Sequence, residues 1–284
     1  MNALIQAEEL KENLAQGADI ALFEATYFLP TMGRDAQGEF AAHRLPGAQF
    51  FDIDLVADTA SPLPHMLPSK EIFQAEMQKL GLKSGQQVVV YDRAPFLSSA
   101  RAWWMLRLFG HDKVALLDGG LAAWQAAGGI LETTPLTPPA SGDFIAAEPR
   151  ADRVIDLAGL RHLLDTNQAE QIADARPAER FEGRATEPRP GVQPGHIPGS
   201  RNVPLIDLIG PDGRLKPTDE LSAIFTSNGI DITQPVITSC GSGVTAAGLT
   251  LALLLLGQEN VRLYDGSWTE YGASGAPIEK GPAT

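Results

Sequence analysis

The stretch ITSCGSGVTAAG, residues 237–248, holds Cys240, the one cysteine of the 284-residue chain. A thiol is a nucleophile only as thiolate, and with a free pKa of ~8.5 only a few per cent is ionised at neutral pH. Chemistry at Cys240 therefore needs a local source of positive potential. Its neighbours can supply one: the run PVITSC reads as a strand, and an apolar helical pattern begins at Val244. Backbone N–H groups in such a turn converge on one point, and the helix dipole adds to them. Gly241 and Gly243 can adopt φ > 0, which curling the backbone around an anion requires. A cysteine without such surroundings reads as a small buried core residue. A single thiol forms no intrachain disulfide and has no resolving partner, which excludes dithiol exchange within the chain.

The elements that position this loop occur twice. The segment from Val88, VVVYDRAPFLSSARAWWMLRLFGHDKVALLDGGLAAW, lies over the segment from Val236, VITSCGSGVTAAGLTLALLLLGQENVRLYDGSWTEY, and Leu117-Asp118-Gly119 matches Tyr264-Asp265-Gly266. LPGAQFFDID (45–54) matches IPGSRNVPLID (197–207), and ALFEAT (21–26) matches QIADAR (171–176). An offset of about 150 residues is too long for a solenoid period and indicates a duplicated domain. In each half short β-branched runs alternate with helical patterns. DIALFEAT, VVVYD and KVALLD read as strands, SSARAWWMLRLFG and GLAAWQAAG as helices. The expected fold class is α/β: two homologous domains, each a mainly parallel sheet flanked by helices. The expected bounds are 1–135, a Pro- and Gly-containing linker at 136–150, and 151–284. In such sheets ligands bind beyond the carboxyl ends of strands, where Cys240 stands. Its counterpart in the first half is Asp92, a carboxylate that cannot carry sulfur, so that half is expected to be catalytically silent and to supply one wall of the cleft.

Composition narrows the partners. A net charge of −13 and a pI near 4.8 argue against nucleic acid or an anionic membrane surface, which need basic patches. Any anionic substrate must be held by local cations. At 44% hydrophobic and 20% charged residues the chain can bury a sizeable core. The apolar run LTLALLLLG is far short of the ~18–20 residues that span a bilayer and reads as a buried helix. The N-terminal residues mix acids into a helical pattern without the organisation of a secretory signal, so a cytoplasmic protein is expected.

Cys240-Gly241-Ser242-Gly243-Val244-Thr245 resembles the active-site loop of the two-domain rhodanese-type sulfurtransferases, specifically those acting on 3-mercaptopyruvate. Relatives acting on thiosulfate carry basic residues directly after the cysteine, where this chain has Gly241 and Ser242. FFDID, SPLPHMLP, RAWWMLRLFGH, LLDGGLAAW, GHIPGS and YDGSW are also similar to that family, so the resemblance covers nearly the whole chain. It implies rhodanese-like domains and double-displacement catalysis. Cys240 would take sulfur from 3-mercaptopyruvate as a persulfide, release pyruvate, and pass the sulfur to a thiol such as thioredoxin or glutathione, or to cyanide. No cofactor and no metal are implied. Gly241, Gly243, Val244 and Thr245 would form the substrate-facing loop. Arg180 and Arg189, in ERF and EPR surroundings, match the arginines that hold the substrate carboxylate and carbonyl. A planar guanidinium suits that task because it binds a carboxylate through two N–H groups. Arg184 has no such match and reads as a surface charge.

The family also implies a Ser-His-Asp relay, and Ser242 fits its serine. The histidine belongs two residues before the first Pro-Gly, but that position is Arg44, and His43 lies one further back. A one-residue slip in a strand turns a side chain to the opposite face unless a bulge restores it. His43, with Asp35 as its partner, is the candidate that this spacing offers. His65 and His196 read as turn-stabilising residues, and Trp103, Trp104 and Trp124 as core. Three rival readings remain to weigh. A cysteine phosphatase needs an arginine six residues after the cysteine, and position 246 is Ala. Thiosulfate:cyanide sulfur transfer shares fold and nucleophile and differs in loop charge. A persulfide sensor or docking protein without turnover would have no use for an oxo-acid clamp.

Overall fold

Val88, Val89 and Val90 are fully buried in the computed structural model, and so are Val236, Ile237 and Thr238, each within 1% of zero exposure. Strands covered on both faces read as continuous apolar runs, the mark of a parallel sheet sandwiched by helices. The structure describes residues 2–94, 97–166 and 170–283. The chain divides into two compact units. The first comprises Met1–Asp58, Leu67–Pro149 and Gly210–Leu215, the second Thr59–Met66, Arg150–Ile209 and Lys216–Thr284.

In the first unit the strands are β1 (Leu4–Ile5), β2 (Ile20–Glu24), β3 (Gln49–Phe50), β4 (Gln87–Tyr91) and β5 (Val114–Leu117). They pair in the order β1-β5-β4-β2-β3, all parallel. Helices α1 (Ala7–Ala15), α2 (Ala36–Ala42), α3 (Lys70–Lys79), α4 (Ser99–Leu108) and α5 (Gly120–Ala126) accompany them. The second unit has β6 (Val154–Ile155), β7 (Gln171–Asp174), β8 (Arg201–Asn202), β9 (Val236–Ser239) and β10 (Val261–Tyr264), in the order β6-β10-β9-β7-β8. Its helices are α6 (Leu157–Asp165), α7 (Ala178–Phe181), α8 (Thr218–Ser227), α9 (Ala246–Leu255) and α10 (Ser267–Tyr271). The two sheets share one topology strand for strand, as duplication of a whole domain requires.

The correspondence reaches single hydrogen bonds. Leu121 N–H donates to Asp92 O at 2.9 Å, and Trp268 N–H donates to Cys240 O at the same distance. The residue two before each Pro-Gly turn, Arg44 or His196, forms an antiparallel bridge to Glu132 or Glu279 respectively. Those glutamates also accept the turn amides of Gly47 at 2.8 Å and Gly199 at 3.1 Å. A clasp that holds a downstream segment against the turn was therefore kept in both copies while one of its partners changed.

Of residues 136–150, expected as a linker, those up to Pro149 belong to the first unit. Phe144 is buried and meets Phe73 edge-on at 6.1 Å, and its carbonyl accepts from Gln78 Nε2. Burial of one aromatic in a Pro-rich stretch is invisible to a test based on apolar periodicity. Trp103, Trp104 and Trp124 are core residues. Helix α9 is buried from Ala246 to Leu253, and no described helix is long and apolar enough to cross a membrane.

Candidate active site

Three neighbouring strands of the second unit, β10, β9 and β7, deliver the site from their carboxyl ends. Strand β9 runs directly into Cys240, which is 1% exposed. The loop 240–245 then leads to α9, whose first residue is Ala246, two later than the sequence pattern suggests. Gly243 takes φ 79°, as an anion-wrapping turn needs. Gly241 does not enter the left-handed region. It is small for a different reason: a Cβ there would stand 3.3 Å from Arg180 Nη2 and 3.6 Å from Nη1. Its missing side chain lets a guanidinium lie against the loop one residue from the thiol.

The turn after β10 braces the loop from below. Ser267 Oγ accepts from Cys240 N–H and from Gly243 N–H, both at 3.1 Å, donates to Tyr264 O at 2.9 Å, and lies 4.0 Å from Cys240 Sγ. Ser267 does this at φ 50°, a left-handed conformation disfavoured for a residue with a Cβ. The corresponding residue of the first unit is Gly120 at φ 55°, where a Cβ would stand 2.3 Å from Asp92 O. The backbone twist is thus common to both copies, and a hydroxyl was added only where the loop carries cysteine. The N–H groups of Gly241, Ser242, Val244 and Thr245 have no protein acceptor among the described residues. Together with the start of α9 they present oriented donors toward an anion.

The cations come from the segment after β7, and α10 supplies a hydroxyl that links one of them to the loop. Arg180 sits on α7, and its Nη2 and Nε bond Glu187 at 2.5 and 3.4 Å. Arg189 Nη1 reaches Thr269 Oγ1 at 3.5 Å, and that hydroxyl donates to Gly241 O at 2.5 Å. Arg180 thus lies against Gly241 directly, and Arg189 is linked to it through the Thr269 hydroxyl. Arg184 is an exposed charge paired with Glu182. Glu187, which the sequence reading did not single out, is nearly buried and also accepts from Arg176 Nη1 at 3.0 Å. Arg176 in turn is held by Asp174 and lies over the Trp268 ring at 4.5 Å.

The histidines fall differently from expectation. His65 Nδ1 is 2.9 Å from Ser242 Oγ, and both are buried. His65 does occupy a turn, at φ 60°, but its ring also meets the loop serine. His43 caps the C-terminal end of α2, with Nε2 3.2 Å from Arg93 Nη1 and its carbonyl accepting from Arg93 Nη2. Asp35 caps the N-terminal end of the same helix, where it accepts from Gly38 N–H at 3.0 Å. Eight residues of helical rise separate this pair by ~12 Å, so they do not meet. His196 donates from Nδ1 to Phe181 O at 2.9 Å and stacks on the Phe181 ring at 3.8 Å, a structural role.

In the first unit the loop after β4 closes on its own carboxylate. Asp92 accepts from Ser99 N–H at 2.6 Å and faces Ser98 Oγ at 3.5 Å. Burial pushes its pKa up to about 6, partly offset by hydrogen bonds from Ser99 and Ala94. The place that the thiol takes in the second unit is here filled by a carboxyl of the chain itself.

Two copies of one α/β topology, a cysteine at a strand-to-helix turn in the second and a carboxylate in the first, define a tandem sulfurtransferase-like architecture. The chain belongs to the rhodanese-like domain family, whose sequence profile matches residues 6–127 and 156–274. It is 48% identical over 248 residues to the 3-mercaptopyruvate sulfurtransferase of Escherichia coli K12, covering 87% of this chain and 86% of that one. The human 3-mercaptopyruvate sulfurtransferase is 38% identical over 279 residues, 95% of this chain and 91% of the relative. The fold matches the crystal structure of SseA from E. coli, described as a 3-mercaptopyruvate sulfotransferase of rhodanese fold. That match has a TM-score of 0.84 and 42% identity, and it covers 94% of this chain and 99% of that one.

Proposed function

We propose that this protein transfers sulfane sulfur from 3-mercaptopyruvate through a persulfide on Cys240 to an acceptor thiol or cyanide, releasing pyruvate. The observation that supports the reading is Arg180 against Gly241, with Arg189 linked to it through Thr269, one residue from a thiol whose loop has amides without a protein acceptor among the described residues. The clamp holds the carboxylate and carbonyl of an oxo acid, and the cradle receives sulfur.

The thiolate of Cys240 attacks the substrate sulfur. The S–S bond forms as the C–S bond breaks, and that electron pair moves onto carbon as the enolate of pyruvate. Protonation of the enolate completes pyruvate. Ser242, hydrogen-bonded to His65, is the group poised to pass that proton, because an imidazole at 2.9 Å can replace the proton the hydroxyl gives up. The oriented amides of the loop stabilise the anionic persulfide that remains. An acceptor thiolate, as in thioredoxin or glutathione, then attacks the outer sulfur and restores Cys240. A lone thiol that must cycle through thiolate suits a reducing compartment, which supports the cytoplasm as its location.

The test is pyruvate release from 3-mercaptopyruvate in the presence of a thiol, with thiosulfate and cyanide assayed in parallel. Intact-mass measurement after substrate alone should show one added sulfur, ~32 Da, on the native protein and none on Cys240→Ser. Turnover by the Cys240→Ser protein refutes the nucleophile. A preference for thiosulfate favours thiosulfate:cyanide sulfur transfer, and a persulfide that forms without turnover favours a sensor.

A further inference from the structure

Glu187 sits where an anion-binding site should be most hostile to it. Its carboxylate is 4% exposed and bridges two arginines: Oε1 accepts from Arg176 Nη1 at 3.0 Å and faces Arg180 Nε at 3.4 Å, while Oε2 accepts from Arg180 Nη2 at 2.5 Å. Arg176 does not need Glu187 for neutrality. Asp174 already takes its Nε and Nη2, at 2.8–3.1 Å, and both partners are 1% exposed. The negative charge of Glu187 is therefore spent on Arg180, which belongs to the substrate clamp. Glu187 occupies the Nε–Nη2 edge of that guanidinium and leaves Nη1 without a protein acceptor among the described residues.

We propose that Glu187 is the charge selector of the clamp: it fixes the local charge at one positive, two arginines less one carboxylate, so that the site accepts a monoanionic 2-oxo acid and rejects dianions of similar size. The inference rests on the reading of Arg180 and Arg189 as the carboxylate clamp. A monoanion neutralises the group. A dianion leaves one negative charge uncompensated beside a buried carboxylate, in surroundings of low effective dielectric, where a single charge within several ångströms changes affinity by on the order of tenfold or more. Glu187 acts through Arg180 and is a positioning and selecting residue, not a catalytic one. The neutral Gly241-Ser242 pair acts in the same direction, since it adds no cation for a second negative charge to meet.

Pyruvate and oxalate test this directly, being nearly isosteric and differing by one charge at neutral pH. Their affinities are measured by ligand-observed NMR at fixed ionic strength on the wild type, Glu187→Gln and Glu187→Asp, alongside kcat and KM for mercaptopyruvate and thiosulfate. The wild type should bind pyruvate at least tenfold tighter than oxalate. Glu187→Gln should shift that ratio at least tenfold toward oxalate, and the kcat/KM ratio toward thiosulfate in the same sense. Glu187→Asp, which keeps the charge, should hold both ratios within threefold even if KM rises through a looser Arg180. A merely structural glutamate predicts parallel losses for both anions in both variants, and that result overturns the proposal. So does a wild type that binds oxalate as tightly as pyruvate, a measurement that stands even if Glu187→Gln does not fold. If the wild type shows the expected selectivity but releases no pyruvate from mercaptopyruvate, the proposed reaction fails while the selector stands.

Discussion

Ser267 offers a quantitative test of how the loop is held. Its hydroxyl is the acceptor for two buried N–H groups, those of Cys240 and Gly243, and it donates to Tyr264 O. Ser267→Ala removes all three contacts. Leaving buried polar groups without this partner costs about 1–3 kcal/mol each when nothing replaces it, and partial relaxation brings the expected total to about 2–4 kcal/mol. The alanine keeps the Cβ at φ 50°, with its left-handed strain of about 1–2 kcal/mol. Ser267→Gly loses the same hydroxyl but sheds that strain, while the added freedom of the unfolded glycine takes back about 0.5–1 kcal/mol. Glycine should therefore exceed alanine by about 0.5–1 kcal/mol, with both below the wild type. Gly120, at the same twist in the first unit, shows that the backbone accepts glycine there. Thermal unfolding of the three proteins under identical conditions gives the order, at roughly 2–4 °C per kcal/mol for a chain of this size. Both variants should also lose at least tenfold in kcat/KM, about 1.4 kcal/mol, since the loop amides lose their orientation. An alanine variant as stable as the wild type refutes the bracing role. An alanine variant at or above glycine refutes the strain.

Arg180→Ala should lower kcat/KM for mercaptopyruvate by roughly 30- to 1,000-fold, about 2–4 kcal/mol, with little change in melting temperature, and Arg189→Ala should act in the same direction. Unchanged kinetics would return Arg180 to the solvated charges of its loop. His65→Ala should reduce kcat by about 100-fold or more, in line with loss of a proton-transfer partner of Ser242. A greater loss in His43→Ala would move the relay back to His43. Asp92 has a folded pKa raised from 3.8 to about 6, so the stability it contributes is complete below about pH 4 and is lost as pH rises through 6. The stability of the wild type relative to Asp92→Asn should accordingly fall by up to about 3 kcal/mol between pH 4 and pH 7.5, measured by denaturant unfolding. A pH-independent difference would show that the buried carboxyl is not displaced from its ordinary range.

The duplication, the parallel α/β class and a lone cysteine at a strand-to-helix turn were all legible in the sequence alone. Each rests on local pattern: apolar runs covered on two faces, a repeat with offsets of 147–148, and glycines beside one cysteine. Arg180 and Arg189 were singled out as clamp candidates because their short flanking motifs resemble those of a family. What the sequence could not place were contacts between residues far apart in the chain. His65 and Ser242 are separated by 177 positions, and nothing in SPLPHMLP indicates that residues 59–66 join the second unit. Spacing against the Pro-Gly turn pointed to His43 instead, which tertiary packing gives to Arg93. Gly241 is small because Arg180 lies against it, not because its φ is positive, and only the folded chain distinguishes those two causes. The same holds for Glu187 and Ser267. In the sequence they are an acid in a polar loop and a serine after Asp-Gly, and they gain their roles from the partners that folding packs around them, Arg176 and Arg180 for Glu187 and the Cys240–Gly243 loop for Ser267, since a charge or hydroxyl acquires consequence only when water is removed from around it.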